Sequence, residues 1–466
     1  MSLEEHLELA FQNHMDEKLT EAEHLCQGIL QADPNHSVAL HLLGVIYYQL
    51  GKNRPAADLL SQALTLCPDS AELHNNLALV KHAVGKFDDA VTLYQEAISI
   101  MPGYMEAHNN LGITFQELGC LNEAQEHYEK AISINPNYAN AYSNLGNLFN
   151  ELGKFDDAIY QLKKALLIKP DLTGVYFNLG IAFHQSGLLE NAAESYQKVL
   201  VSDPNSYNAH INLGSVFQEL GRLDKATAHY NKALAIKDDS VDAYSNLANA
   251  LAEQGKLDQA VEFHKKAIAI DPDSAEEHYN FGNTLKKLNN LKGAAAEYQK
   301  AIKVKPEYAN ARNNLGLVLY ALGDLTAART EYLSLLKSNP DYADAYSNLT
   351  ITLNASGHRL ETMDFYKKRM DVTRGYNNYN RGQSTFSFTT RTKIRHDIEQ
   401  FKYLASIGQK KSKFTSLAKK YKLLEQEISW SDDKIAQIRL SDRHPKILRE
   451  TYNRPLNLLK APEVAG

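Results

Sequence analysis

The chain has little of what a secreted, membrane-spanning or cofactor-binding protein needs. Its 466 residues include only three cysteines, Cys26, Cys67 and Cys120. An odd and sparse set does not read as a disulfide framework; it fits a reducing compartment, cytoplasmic or nuclear. No run of about 20 apolar residues occurs, so no membrane-spanning helix is expected. The first residues, Met1-Ser2-Leu3-Glu4-Glu5-His6, are acidic without an apolar core and do not read as a signal peptide. Also absent are G-x-x-x-x-G-K-[ST], a G-x-G-x-x-G after a strand, G-x-S-x-G and C-x-x-C, which removes the common nucleotide-binding, hydrolase and dithiol signatures. No cofactor, no metal and no catalytic residue is expected, and the chain reads as a non-enzyme.

Proline and glycine are few, but most are placed on one period. Prolines stand at 34, 68, 102, 136, 170 and 204, then at 272, 306 and 340, with Asp238 in the vacant slot. Glycines stand at 51, 85, 119, 153, 187, 221, 255, 323 and 357, with Asn289 in the gap. Such a step of 34 residues dictates the architecture before any local reading. Eleven units follow, starting at Leu3, Ser37, Ala71, Met105, Ala139, Thr173, Tyr207, Val241, Ala275, Ala309 and Ala343.

The unit Ala139–Pro170 explains itself. Tyr142, Leu145, Phe149 and Leu152 share one face of a helix. Gly153 ends that helix, because glycine accepts a positive φ at little cost. Phe155-Asp156-Asp157 starts a second helix with acids where its dipole favours them. Ala158, Leu162 and Ala165 form its face, and small Gly146, Ala158 and Ala165 allow close approach. Pro170 stops the second helix. One hairpin cannot bury both faces, so the units must stack.

These offsets resemble those of the tetratricopeptide repeat family over Leu3 to about Tyr376. The resemblance implies an all-α fold, a right-handed superhelix (α-solenoid) of about eleven 34-residue hairpins followed by a small helical tail. The terminal units match worst: Cys26 replaces a tyrosine, and Arg369 and Arg374 replace the usual alanine and proline. End units need a polar outer face. The expected division is repeats over 1–376, a linker over 377–391 and a basic helical tail over 392–466.

Seventeen histidines invite a metal reading. However, His74, His108, His210 and His278 occupy the slot that holds Tyr142, Tyr176, Tyr244 and Tyr346 elsewhere, so packing is the expected role. Whole-repeat spacing, about 10 Å between packed helices, is too wide for a shared ion. The pairs His14/Asp16, His6/Glu8 and His127/Glu129 fall on repeat helices with no β-rich sequence around them and read as surface polar residues.

One register carries a sharper expectation. Asn76, Asn110, Asn144, Asn178, Asn212, Asn246, Asn280, Asn314 and Asn348 recur in unbroken step. On stacked repeats they would line the concave face, and an amide matches the C=O and N–H of an extended peptide. Asn147, Ser215, Asn249 and Asn283 lie one turn on, and Glu117, Glu151, Glu219 and Glu253 at the far end of the first helix. These acids favour a neutral or basic peptide. The asparagine register is similar to that of the superhelical arm of protein O-linked N-acetylglucosamine transferase, which implies peptide holding by the matching asparagines. No glycosyltransferase domain accompanies it.

Charge separates the two ends. From Ala355 onward there are 23 lysines and arginines against 12 acids, and before it 27 against 44. Such asymmetry speaks of partners rather than fold. In the tail, Ile394–Leu404 and Thr451–Pro462 resemble the connector of repeat-fused 2-oxoglutarate/iron(II) oxygenases, without any catalytic motif. Two function classes follow. One is a protein-interaction scaffold with a protein or peptide ligand in the groove. The other is the targeting arm of an enzyme whose catalytic part is on a missing domain or a partner. Nucleic-acid binding by the basic tail is the weaker third, since its charges are spread over both tail helices.

Overall fold

The computed structural model describes residues 2–358 and Phe365, and these contain twenty-one α-helices and no strand. The chain falls into two compact units, Met1–Leu322 and Gly323–Gly466. The first holds helices α1 (Leu3–Met15) to α19 (Ala309–Ala321); of the second, α20 (Leu325–Ser338) and α21 (Ala343–Ala355) are described. The linker, the basic tail with its two oxygenase-like segments, and Arg369 and Arg374 lie outside the described residues.

Each hairpin repeats one solution. In the fifth, α9 (Ala139–Glu151) and α10 (Phe155–Ile168) are joined by Leu152, Gly153 and Lys154. Gly153 has φ 70°. Its N–H bonds the Asn150 carbonyl at 3.0 Å and the next N–H bonds that of Phe149 at 2.8 Å, which uses the last carbonyls of the helix. Asn289 takes the same role with φ 61°, as an asparagine can. Asp156 and Asp157 occupy the first turn of α10. Ala158, Leu162 and Ala165 are wholly buried.

In most hairpins the two helices meet where the first has no side chain. A Cβ on Gly146 would stand 2.6 Å from Leu162 Cγ, and one on Gly214 would stand 2.5 Å from Tyr230 Cε1. Gly112, Gly180 and Gly282 meet Tyr128, Tyr196 and Tyr298 in the same way. These tyrosines are 0–1% exposed. Tyr128 and Tyr230 donate their hydroxyls to Gln116 and Gln218 at 2.9 and 3.0 Å, so a ring is buried without orphaning its polar tip.

The eighth hairpin, α15 (Val241–Glu253) and α16 (Leu257–Ile270), departs from this. Ala248 fills the glycine slot and His264 the tyrosine slot. His264 is fully buried, with Nδ1 2.5 Å from Glu277 Oε1 and Nε2 2.9 Å from Thr284 Oγ1. Glu277 stands where most units have alanine. The pair joins the eighth hairpin to α17 (Ala275–Lys287).

The histidines of the aromatic slot do pack, and each is also hydrogen-bonded. In the fourth hairpin, α7 (Met105–Glu117) and α8 (Leu121–Ile134), His108 Nε2–H donates to the Pro102 carbonyl at 3.3 Å. Its Nδ1 must then accept, from His127 Nδ1–H at 3.0 Å. His210, Pro204 and His229 repeat this in the seventh hairpin, at 3.1 and 2.9 Å. In the ninth, Glu297 replaces the second histidine and lies 2.6 Å from His278. Burial holds His108, His127, His210 and His229 below the ordinary histidine range, His229 down to about 4, and the neighbouring imidazole lowers His127 and His229 further.

Two predictions follow from this packing. Gly214→Ala is expected to lower stability by roughly 1–3 kcal/mol through overpacking. Gly174→Ala, whose Cβ meets nothing within 4 Å, is expected to gain up to about 1 kcal/mol; denaturant titration of both variants checks this. The histidine pairs give the second. Their contribution is complete above about pH 6.5 and is lost as pH falls towards 4, because only the unfolded chain protonates there. The melting temperature should drop between pH 7 and pH 5. The drop should be smaller in the double variant His210→Tyr/His229→Phe, which copies the stacked Tyr244–Phe263 pair of the eighth hairpin.

Candidate functional site

The first helices of successive hairpins lie side by side. Side chains about one repeat apart therefore touch, and the asparagine register falls on that seam. All nine asparagines are half-buried. Eight belong to the first compact unit; Asn348 lies on α21 of the second, where it too has partners.

Along the seam most of these amides are engaged with a neighbouring side chain. Five of them reach back to the residue 35 positions earlier, on the preceding first helix. Asn76 Nδ2 meets His41 Nε2 at 2.8 Å, Asn110 donates to Asn75 Oδ1 at 3.2 Å, and Asn144 donates to Asn109 Oδ1 at 2.8 Å. Asn280 reaches Ser245 at 3.5 Å, and Asn314 reaches Tyr279 at 3.5 Å and Asn283 Oδ1 at 2.9 Å. These amides bind repeat to repeat.

The pattern breaks where the residue 35 earlier is apolar. Asn212 faces Phe177 in that scheme and Asn246 faces Ile211, and neither side chain can accept. Asn212 instead bonds the Tyr196 hydroxyl, opposing the effect of burial, which raises that phenol strongly. Among the described residues, the Asn178 and Asn246 side chains have no hydrogen-bond partner; only the Asn178 backbone carbonyl accepts, from Asn150 at 2.9 Å. The unspent amides, Asn178 and Asn246, lie in the sixth and eighth repeats; Ser143 stands 35 residues before Asn178, so an apolar neighbour accounts for Asn246 but not for Asn178.

A second seam runs at the other end of the same helices. Gln116 donates to Glu151 at 2.7 Å, His184 meets Glu219 at 2.7 Å and Gln218 donates to Glu253 at 2.6 Å. The expected groove acids are therefore partly engaged, though Glu219 remains 52% exposed. Of the inner positions one turn on, Asn147 is exposed, Ser215 and Asn249 are half-buried, and Asn283 accepts from Tyr298 at 2.8 Å.

A cavity of about 740 Å³ opens against Asn110, Asn144 and Asn178. Tyr138, Leu172, Val175 and Phe177 give it apolar wall, Asn140, Ser143, Ser206 and Asn208 give polar wall, and Asp203 is the one charged residue lining it. Gly174 stands where the neighbouring repeats carry Asn140 and Asn208, which leaves room. Phe177, Ile211 and Asp203 were missed by sequence reasoning, which attended to the constant asparagine and not to the variable residue before it. The signal was present: that residue is apolar in only two successive repeats, the sixth and seventh, among those with a rung in the next.

The remaining candidates are structural. His14 bonds Gln49 at 2.9 Å, and Asp16 accepts from Gln12 at 3.0 Å. Cys26 is buried and its thiol is pushed up to about 11 by desolvation; Cys67 and Cys120 are free thiols, half-buried. Among the described residues no group of three or more His, Cys, Asp or Glu could hold a metal ion, and no helix is long and apolar enough to cross a membrane. Asn144→Ala, which removes the donor to Asn109, is expected to lower stability by roughly 0.5–1.5 kcal/mol. Asn246→Ala, which breaks no bond, should leave the urea midpoint nearly unchanged.

Comparison with known proteins agrees with this geometry. One family model, described as tetratricopeptide repeat, matches residues 69–135, 103–171 and 205–273. A second, described as TPR repeat, matches 44–85, 182–221, 282–323 and 316–355. Among solved structures, YrrB, a TPR protein with an unusual peptide-binding site, is 24% identical over 40% of this chain and 95% of its own, at TM-score 0.35. MamA is 28% identical over 34% and 94%, at TM-score 0.32. A tetratricopeptide repeat protein from Parabacteroides merdae is 19% identical over 53% and 98%, at TM-score 0.45. The curated proteins gave no match. The repeat period, the hairpin geometry and both family models agree: this chain belongs to the tetratricopeptide repeat family.

Proposed function

We propose that the chain is a non-enzymatic interaction scaffold that holds extended segments of partner proteins along the face formed by its first helices. The observation that carries this is the run Asn178, Asn212 and Asn246. Asn178 and Asn246 keep the register of the seam with side chains that bond nothing, and Asn212 between them bonds only the Tyr196 hydroxyl of the preceding repeat. An amide with both ends available can exchange two hydrogen bonds with one residue of an extended backbone. The cavity beside Asn144 and Asn178 adds a place for a side chain. In this reading the flanking rungs, Asn76, Asn110, Asn280 and Asn314, hold the scaffold in shape. What carries over from the resemblance to the O-linked N-acetylglucosamine transferase arm is peptide holding, and only at the rungs with free amides.

The test uses phage-displayed dodecapeptides selected on the full chain. A selected peptide should bind the Asn178/Asn212/Asn246 triple alanine variant about 30-fold or more weakly, from roughly 0.5–1.5 kcal/mol per lost contact. Circular dichroism of the variant should match that of the unaltered chain, since two of the three amides bond nothing. Equal affinity for the two proteins would overturn the reading.

A further inference from the structure

The geometry points to the cavity beside Asn144 and Asn178 as a pocket for one arginine side chain of the bound segment. This inference rests on the scaffold reading and specifies what that site selects. Three observations carry it. First, the rungs facing the cavity offer acceptors. Asn144 gives one Nδ2 hydrogen to Asn109 and keeps its carbonyl oxygen unbonded, and Asn178 has its own side-chain oxygen free. A ligand group that supplies donors matches these oxygens, and a guanidinium supplies five.

Second, charge in the cavity has one sign. Asp203 is exposed and lines it, and no lysine or arginine does. One Asp203 oxygen accepts from the Asn205 N–H at 3.1 Å, which fixes the carboxylate and leaves its second oxygen for a partner. Third, Phe177 and Tyr138 both line the cavity. Aromatic faces suit a planar guanidinium better than an ammonium, because the cation can stack as well as attract. Leu172 supplies apolar wall for the three methylenes of an arginine stem. Gly174 contributes no side chain, and a cavity of about 740 Å³ takes the residue with space for its neighbours.

The experiment uses the same selection on the full chain. Peptides that depend on the asparagine triple should carry arginine at one fixed position. Replacing that arginine by leucine should weaken binding to the unaltered chain about tenfold or more. The same peptide change should cost little on Asp203→Asn, a substitution that keeps an acceptor for the Asn205 N–H and so keeps the turn. Asp203→Lys should shift the selected residue from arginine to glutamate or aspartate. Rung-dependent peptides with no fixed basic residue would overturn the pocket and leave the scaffold standing. So would an Asp203→Asn loss that is equal for arginine and leucine peptides, which marks a structural role. Peptides indifferent to the triple variant would overturn both.

Discussion

The structure depends on the close crossing of the two helices in each hairpin. Glycine in the first helix admits the ring of Tyr128, Tyr196, Tyr230 or Tyr298, or the branched end of Leu162, to within contact of the backbone. This approach fixes how far apart the helices lie, and so the spacing at which the next hairpin can stack. Only with that spacing constant does a side chain on one first helix meet the side chain 35 residues earlier. In the third and eighth hairpins alanine fills the glycine slot; Tyr94 still packs beside Ala78, whereas beside Ala248 a smaller ring, His264, takes the tyrosine slot. Glu277 and Thr284 then have to satisfy both imidazole nitrogens.

The seams between first helices turn a repeat into a scaffold. An amide that donates across a seam is removed from the pool that could bind a ligand. The residue before a rung in the previous repeat decides whether several of these ties can form. With Asn75, Asn109, Ser245 or Tyr279 there, the rung is tied to its neighbour. With Phe177 or Ile211 there, the tie cannot form.

The acids at the far ends of these helices follow similar logic. Glu151, Glu219 and Glu253 each accept from the previous repeat, which spends one oxygen while leaving a formal charge on the face. The histidine pairs act within hairpins instead. They sit in the fourth and seventh repeats, at either end of the cavity wall, where neutral imidazoles complete the packing.

The sequence by itself determined the period, the hairpin, the turn and the nine-asparagine register, because each depends on contacts local in the chain. Gly153 ends a helix whatever surrounds it, and Asn289 could be read as its substitute for the same reason. That His108 packs in the aromatic slot was also readable from its register. What the tertiary structure alone decided was which asparagines are spent. That choice depends on pairs such as Asn144 with Asn109 and Asn246 with Ile211, 35 residues apart, and on the side chains lying close enough to bond. The cavity around Asp203 and Phe177 was likewise beyond the sequence, since it draws on four successive repeats. Its volume reflects the absence of a side chain at Gly174 as much as the residues present. Periodicity reports what neighbours in the chain share; the seam is made from the places where they differ.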